Sequence, residues 1–301
     1  MMVGYGTRII IEEVPSRGIY GPGILTAGYG GDLNIDFHAG AERDYDFRID
    51  AVIGDYKEGG SIPLAVNLKV YGAHNEKSVL YLDGSTSNTY TGYTLVEGRG
   101  NEIALRKTGG AIAIQRDVTV SNQATLNFHG SNQLGSGVVT LRNHSWLNHY
   151  PPNPTADMSN KIRKLVVDGV GALSFGDLNK GSGKIWIYFD DIEIINDGWL
   201  EVFYWEYGRD FFLINKASAN VDRILSRISF NGYDRNNIHL EDFSPDYWAI
   251  VAPEPATYGA VLGAVGLGLV IYRKCLHRMR RACGEKLGGA DISFKGSFVL
   301  R

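Results

Sequence analysis

Cysteine is almost absent from this chain. The two that occur, Cys275 and Cys283, lie near the C-terminus, and residues 1–274 contain none. A disulfide framework, a CxxC metal site and thiol chemistry are therefore excluded from the first nine-tenths of the molecule. Positive charge is scarce there too. The segment 255–301 holds eight Lys/Arg and two Asp/Glu, which leaves 22 basic and 31 acidic residues in 1–254, a net charge of −9. An acidic body of this kind excludes nucleic acid as a partner, because binding it rests on Lys and Arg neutralising phosphates. The sequence has no P-loop, no GxSxG, no HExxH and no GxGxxG opening a helix. Gly263, Gly266 and Gly268 lie in an apolar segment and bind no phosphate.

Glycine is plentiful at 38 residues, and the 17 tyrosines outnumber the 12 phenylalanines. Together with Thr and Val, that composition favours β structure with many tight turns. Partly alternating segments recur along the chain: "RIIIEEV" (8–14), "DLNIDFH" (32–38), "LAVNLKVYG" (64–72), "EIALRKTGG" (102–110), "GVVTLRN" (137–143) and "GKIWIYFDDIEIINDGWLEVFYWE" (183–206) among them. Gly, Asn, Asp and Ser separate them, often at intervals of about ten to fifteen residues. The pattern predicts a mainly β body over 1–249. Its architecture is a parallel β-helix or β-solenoid, with a β-sandwich as the alternative. Asn122, Asn127, Asn132 and Asn143 are expected at the corners. "ASANVDRILSRISF" (217–230) predicts one short helix. Ser218 or Asn220 would cap it, Val221, Ile224, Leu225 and Ile228 would form its apolar stripe, and Asp222 would sit at its positive end.

Three groups of residues could carry chemistry. His129, His144 and His149 with Asp157 have the donor types of a zinc site, but no helical frame holds them. Asp190, Asp191 and Glu193 lie in one strand, where alternation puts Asp191 and Glu193 on one face, the arrangement of a paired-carboxylate glycan enzyme. No cationic partner for them is evident from the sequence. Trp199, Phe203, Tyr204, Trp205, Tyr207, Phe211 and Phe212 form a dense aromatic run, suited to a core or end cap, or to stacking on sugars. Surface histidines, surface carboxylates and core aromatics are the simpler reading. The body is expected to have no catalytic residues, no metal and no cofactor.

The segment "NTYTGYTLVEGRGNEIALRKTGGAIAIQRDVTVSNQATLNFHGSNQLGSGVVTLRNHSWL" (88–147) resembles the autotransporter-associated β-strand repeats of large exported bacterial proteins. That resemblance implies strand–turn–strand units of a parallel β-helix. Tyr93 stands where the repeat opening "NTYTGGT" has its second glycine.

The tail carries the longest apolar run. Eighteen residues without formal charge extend from Pro255 to Tyr272. As a helix at roughly 1.5 Å per residue they would span roughly 27 Å, close to a bilayer's hydrocarbon core. Arg273, Lys274, Arg278, Arg280 and Arg281 follow, and such a cluster is expected to stay cytoplasmic as stop-transfer charge. Pro253 and Pro255 flank Glu254, so this tripeptide is expected to be extended and accessible.

In that order, Pro253-Glu254-Pro255, the apolar span 256–272 and the Arg cluster resemble the PEP-CTERM sorting signal of exported bacterial proteins. The resemblance implies recognition by an exosortase-type processing enzyme, a membrane-anchored precursor, and delivery to the cell surface or extracellular matrix. The expected organisation is thus a body (1–249), a sorting signal (250–282) and a short extension (283–301).

Members of that family end just after the arginines and begin with a signal peptide. Here "MMVGYGTRIIIEEVPSRG" offers only Ile9-Ile10-Ile11 before Glu12, short of a signal peptide's apolar region. The expectation is that Met1 is internal to a longer product; the alternative is a truncated product that stays in the cytosol. The function implied is a non-enzymatic exported envelope or surface protein. Its rival is a β-helix protein that binds or degrades extracellular polysaccharide.

Overall fold

The structure, a computed structural model, describes residues 2–3, 8–11, 17–28, 31–37, 45–57, 62–72, 77–176 and 181–252. The chain divides into two units, Met1–Pro253 and Glu254–Arg301, and all described residues fall in the first. Pro253, Glu254, Pro255, the span 256–272, the cluster from Arg273 to Arg281 and the extension 283–301 lie outside the described residues.

The body is a parallel β-solenoid of about seven turns with one short helix, so of the two architectures expected the solenoid is the one observed. Each full turn passes over three faces. The first face stacks Arg8–Ile11, Gly31–Phe37, Val66–Tyr71, Thr94–Glu97, Val118–Ser121 and Val138–Arg142, then 164–168 and 191–195, all in parallel register. The second face stacks Arg17–Ile19, Tyr45–Ile49, Ser78–Leu82, Asn101–Leu105, Thr125–Phe128 and Ser145–His149, then 171–174, 199–203 and Ile228–Phe230. The third face is built from Met2–Val3, Ile24–Ala27 and Val52–Ile53 at one end, and from 158–162, 185–189 and Asp210–Asn215 at the other.

Alternation explains why these sequences stack. In Val66–Tyr71 the residues Val66, Leu68 and Val70 point inward and are buried, while Asn67, Lys69 and Tyr71 face out. Register then joins equivalent positions of successive turns into columns. Ile35, Val70, Val96, Val120, Leu141, Val167 and Ile194 form one, each aligned with the next and at most 1 % exposed. Leu80, Ile103, Leu126, Leu147, Leu173 and Val202 form another on the second face.

In the middle turns the third face has little regular strand, and buried side-chain amides take over the backbone's hydrogen bonds. Asn88 donates from Nδ2 to the Ala113 carbonyl at 2.8 Å and accepts the Ile53 N–H at 3.0 Å. Gln133 accepts the Lys107 N–H and donates to the Lys107 carbonyl. Asn160 accepts the Gln133 N–H and donates to the Gly130 carbonyl. Each amide offers both donor and acceptor, as a peptide unit does, and so takes up backbone groups that no neighbouring strand pairs.

The "NTYTGYT" stretch sits here. Besides Asn88, Tyr90 is fully buried with its hydroxyl 2.6 Å from Thr94 Oγ. Thr91 bonds Asp55 through both N–H and hydroxyl. A Cβ at Gly92 would lie 2.3 Å from the Val66 carbonyl oxygen.

The corner between first and second faces is a tight turn at positive φ. Asn122 and Gln123, Asn143 and His144, and Asn196 and Asp197 occupy it in three of the coils, and Gly169 in the coil between the last two. Asn and Asp tolerate this conformation best among residues with a Cβ. Their side chains also link the coils: Asn122 donates to Glu97, Asn143 to Asn122, and Asn196 to Asp168. Asn132 likewise has positive φ. Asn127 does not belong with these. It lies within the strand Thr125–Phe128, buried, and donates to Glu102 at 2.9 Å. Composition identified it as a turn residue, but the alternating flanks Leu126 and Phe128 decide that it is strand.

The C-terminal end is closed differently. Tyr247–Val251 pairs antiparallel with Asp210–Asn215, and His239–Asp242 pairs antiparallel with Tyr247–Val251. This reversal ends the parallel stack with a hairpin instead of a bare edge. The helix is shorter than the sequence implied, Val221–Ser226, with Ile224 as its buried residue. Asn220 occupies the N-cap position without a side-chain cap bond, and Ser218 bonds Asp191 instead. Ile228 is not helical; it begins a strand aligned with Leu200 on the second face. The last strand runs through residue 249, the end expected for the body, and ends at Val251.

Leu126 is fully buried and aligned between Ile103 and Leu147. Leu126→Ala should therefore lower stability by about 2–5 kcal/mol. Outward Thr119→Ala should stay within about 0.5 kcal/mol. Urea unfolding of the full chain followed by circular dichroism would check both.

Candidate functional site

The carboxylates at 190–193 are held by lysines from the preceding turn. Lys164 aligns directly with Asp191 across the first face. Its Nζ lies 2.8 Å from Glu193 Oε2 and 3.5 Å from Asp191 Oδ2. The Glu193 hydrogen bond, with a further contribution from Asp191, raises the Lys164 pKa against a smaller opposing effect of burial. Lys161 pairs with Asp190 at 2.9 Å, and the Tyr247 hydroxyl donates to the same carboxylate oxygen. Asp191 and Glu193 do share a face, as alternation implied. Their cationic partner was missed because Lys164 is far away in sequence and adjacent only through register. Part-exposed ion pairs of this kind neutralise charge on a solvated face.

The three histidines are separated by environment. His144 is exposed at the positive-φ corner. His149 is fully buried, stacked at 4.6 Å and 2° on Phe128. Burial lowers its pKa to about 3, partly opposed by a backbone group of Ser174. His129 is half-buried beside an open concavity with Arg106 and Lys107. Burial, with the Arg106 and Lys77 charges, lowers its pKa to about 4. Asp157 uses its carboxylate to accept the Lys184 N–H. Among the described residues no group of three or more His, Cys, Asp or Glu side chains could hold a metal ion.

The aromatic run divides by alternation. Trp205 and Phe212 are core residues, at 5 % and 0 % exposure. Trp199 and Phe203 face out from the second face: Trp199 donates to Ser229 and lies under the Arg235 guanidinium, and Phe203 packs on Trp146 at 4.9 Å. Tyr204 and Tyr207 are exposed, and Phe211 is half-buried.

Phe211 also belongs to an aromatic strip on the outside of the third face. It stacks on Trp186 at 5.5 Å and 6°, and packs on Phe243 at 5.5 Å. Tyr188 meets Tyr247 edge-on at 5.1 Å. The period-2 rule places Trp186 and Tyr188 outward, but the sequence does not show that they meet Phe211, Phe243 and Tyr247.

Where this strip reaches the closing hairpin, a cavity of about 150 Å³ opens between the end of the second face and the hairpin. Trp205, Tyr207, Phe211, Phe243, Glu241 and Asp242 line it. Tyr207 donates to Glu241 Oε2 at 3.5 Å, and Lys216 pairs with Asp242. The cavity therefore combines aromatic rings with carboxylate acceptors.

No family model matches the chain, and no match was found among curated proteins or solved structures. The class of protein rests on the fold itself, a parallel β-solenoid closed by an antiparallel hairpin. Among the described residues no helix is long and apolar enough to cross a membrane.

His149 gives the body an acid sensitivity whose sign follows from its depressed pKa. The unfolded chain takes up a proton near pH 6.5, whereas the folded chain does so only near pH 3. Stability is therefore complete above that window and falls as pH drops from about 6.5 towards 3. From pH 6.5 to 5 one such histidine removes up to about 2 kcal/mol. His149→Phe, which keeps an aromatic ring in the column, should flatten the stability–pH profile by about one proton. Urea unfolding at pH 7 and pH 5 would check this, and an unchanged profile would show that His149 is not held neutral by burial.

Proposed function

We propose that this chain is a non-enzymatic exported bacterial surface protein, delivered by a C-terminal sorting signal that an exosortase-type enzyme processes. One observation carries the reading. The last strand of the solenoid ends at Val251, and Pro253-Glu254-Pro255, an uncharged run to Tyr272 and the cluster Arg273, Lys274, Arg278, Arg280 and Arg281 follow in that order. In this reading the Pro-Glu-Pro unit is the extended recognition element. The span 256–272 holds the precursor in the membrane, and the cationic cluster stops transfer on the cytoplasmic side.

The body supports the same reading. A parallel β-solenoid is what the likeness of 88–147 to autotransporter-associated repeats implies. Such a body suits a surface protein, because it is rigid, extended and stabilised between neighbouring coils. A catalytic site needs a nucleophile, an acid–base pair or a metal within mutual reach. The 190–193 carboxylates are occupied by Lys161 and Lys164, and the histidines lie in three different environments.

Replacing Pro253-Glu254-Pro255 by three alanines in the full-length gene product should leave unprocessed protein in the inner membrane, read by fractionation and mass spectrometry. Normal processing and surface delivery would overturn the sorting assignment. The purified protein should turn over none of a panel of glycans, esters and peptides, with or without Ca²⁺ or Zn²⁺. Turnover abolished by Asp191→Ala or Glu193→Ala would establish an enzyme instead.

A further inference from the structure

We infer that Asn231 is a site of spontaneous covalent modification. Its side-chain amide is lost to attack by the Gly232 backbone nitrogen, which leaves aspartate or isoaspartate in the turn after the last strand of the second face. The inference is independent of the sorting signal. It rests on the chemistry of one dipeptide and on how the fold leaves that dipeptide.

Asn231-Gly232 is the one place in the chain where glycine follows asparagine. The order matters because the attacking atom belongs to the second residue. Once joined, the Gly232 nitrogen and Asn231 Cγ are members of one five-membered ring, so the chain itself holds nucleophile and carbonyl together. A Cβ on the second residue would crowd the approach, and glycine has none.

The fold leaves both partners free. The turn follows Ile228–Phe230, and the Tyr233 N–H closes it on the Phe230 carbonyl at 3.0 Å. The Asn231 N–H is anchored to the Val202 carbonyl at 2.8 Å. Among the described residues neither the Asn231 side chain nor the Gly232 N–H has a hydrogen-bond partner. Both residues are exposed, Gly232 has a φ of 87°, and a Cβ placed on it would meet nothing within 4 Å. The corner asparagines differ on both counts. Asn122, Asn143 and Asn196 donate their side-chain amides to Glu97, Asn122 and Asp168, and are followed by Gln123, His144 and Asp197.

The reaction balances with water and hydroxide alone. Hydroxide removes the proton from the Gly232 nitrogen, which forms a bond to Asn231 Cγ. The Cγ–Nδ2 bond breaks, and ammonia leaves with a proton taken from water, which restores the hydroxide. Water then opens the cyclic imide at one of its two carbonyls. One opening gives aspartate. The other gives isoaspartate, whose main chain runs through Cβ and is longer by a methylene. That longer form bears on the end of the stack, because the residues flanking the turn both pack on Trp205. Phe230 lies at 5.0 Å and Tyr233 at 5.4 Å, and the Tyr233 hydroxyl donates to the Trp205 carbonyl at 3.3 Å.

Peptide mapping by mass spectrometry tests this on the full chain, held for several weeks at body temperature in mildly alkaline buffer and digested in acid. The Asn231 peptide should gain the mass of an amide-to-acid exchange and split into aspartate and isoaspartate forms. It should do so at least about tenfold faster than any other asparagine. Storage in mildly acidic buffer should slow it, because hydroxide is the base. The folded rate should stay within about tenfold of the rate in urea, since the fold does not shield the pair. Asn231→Gln, an exposed change that leaves the fold intact, should abolish the product, because glutamine would have to close a six-membered ring. Hydrogen exchange at the Tyr233 amide should be several-fold faster in the isoaspartate form. Conversion in urea but not in the folded chain would overturn the inference. So would an equal rate at the exposed Asn236, which Asn237 follows, or a mass gain in the same peptide that persists in Asn231→Gln. Unchanged exchange at Tyr233 would refute the effect on the end of the stack.

Discussion

Inward-facing side chains of successive turns must meet in register, and the rest of this structure depends on that. A single coil buries little on its own, because its strands are short and its inner residues need a neighbouring turn above and below. Stacking supplies that neighbour and the backbone ladder at once. Leu126 is buried because Ile103 and Leu147 lie beside it, and those two are buried by the next residues in the column. Stability in such a stack is a sum of neighbour terms, so its weak points are its ends and the places where strand pairing lapses.

The structure treats both kinds of weak point with local chemistry. On the third face Asn88, Gln133 and Asn160 replace peptide groups with side-chain amides and keep the ladder satisfied where the chain is irregular. At the first corner, Asn side chains accept the positive-φ turn and bridge adjacent coils. At the C-terminal end the direction of pairing reverses, so the final parallel strand Asp210–Asn215 is covered by Tyr247–Val251. The same closure leaves a cavity of about 150 Å³ beside the hairpin, with Trp205, Tyr207, Phe243 and Glu241 among its lining residues. The cavity is thus a by-product of capping: a hairpin laid across the end of a stack does not fill it completely.

The candidate chemistry of the sequence dissolves for a related reason. Asp190, Asp191 and Glu193 looked like unpaired carboxylates because their partners, Lys161 and Lys164, come from one coil earlier. His149 looked like a possible ligand, but its position in an inward-facing column beside Phe128 makes it a neutral core residue. In a solenoid the nearest neighbour of a residue is usually about one turn away in sequence, not four residues away, so short-range motifs carry little information about the surface.

Period and composition alone were enough to read the β class, the coiled architecture as one of two options, the single helix near residue 221, and most of the corner asparagines. Alternation and turn chemistry are local properties, written within a few residues. Asn127, Ile228 and the length of the helix were misjudged where two local signals competed and packing chose between them. The separation between equivalent residues varies from coil to coil: Thr94 aligns with Val118, but Val118 with Val139. That variable length hides the register from the sequence. Register in turn decides every lateral contact, from the Lys164–Glu193 pair to the Trp186–Phe211 stack, so those contacts and the cavity at the hairpin belong to the tertiary structure alone. The tail is the converse case. Its order of proline, apolar span and arginines is linear, and the reading it supports rests on sequence by itself.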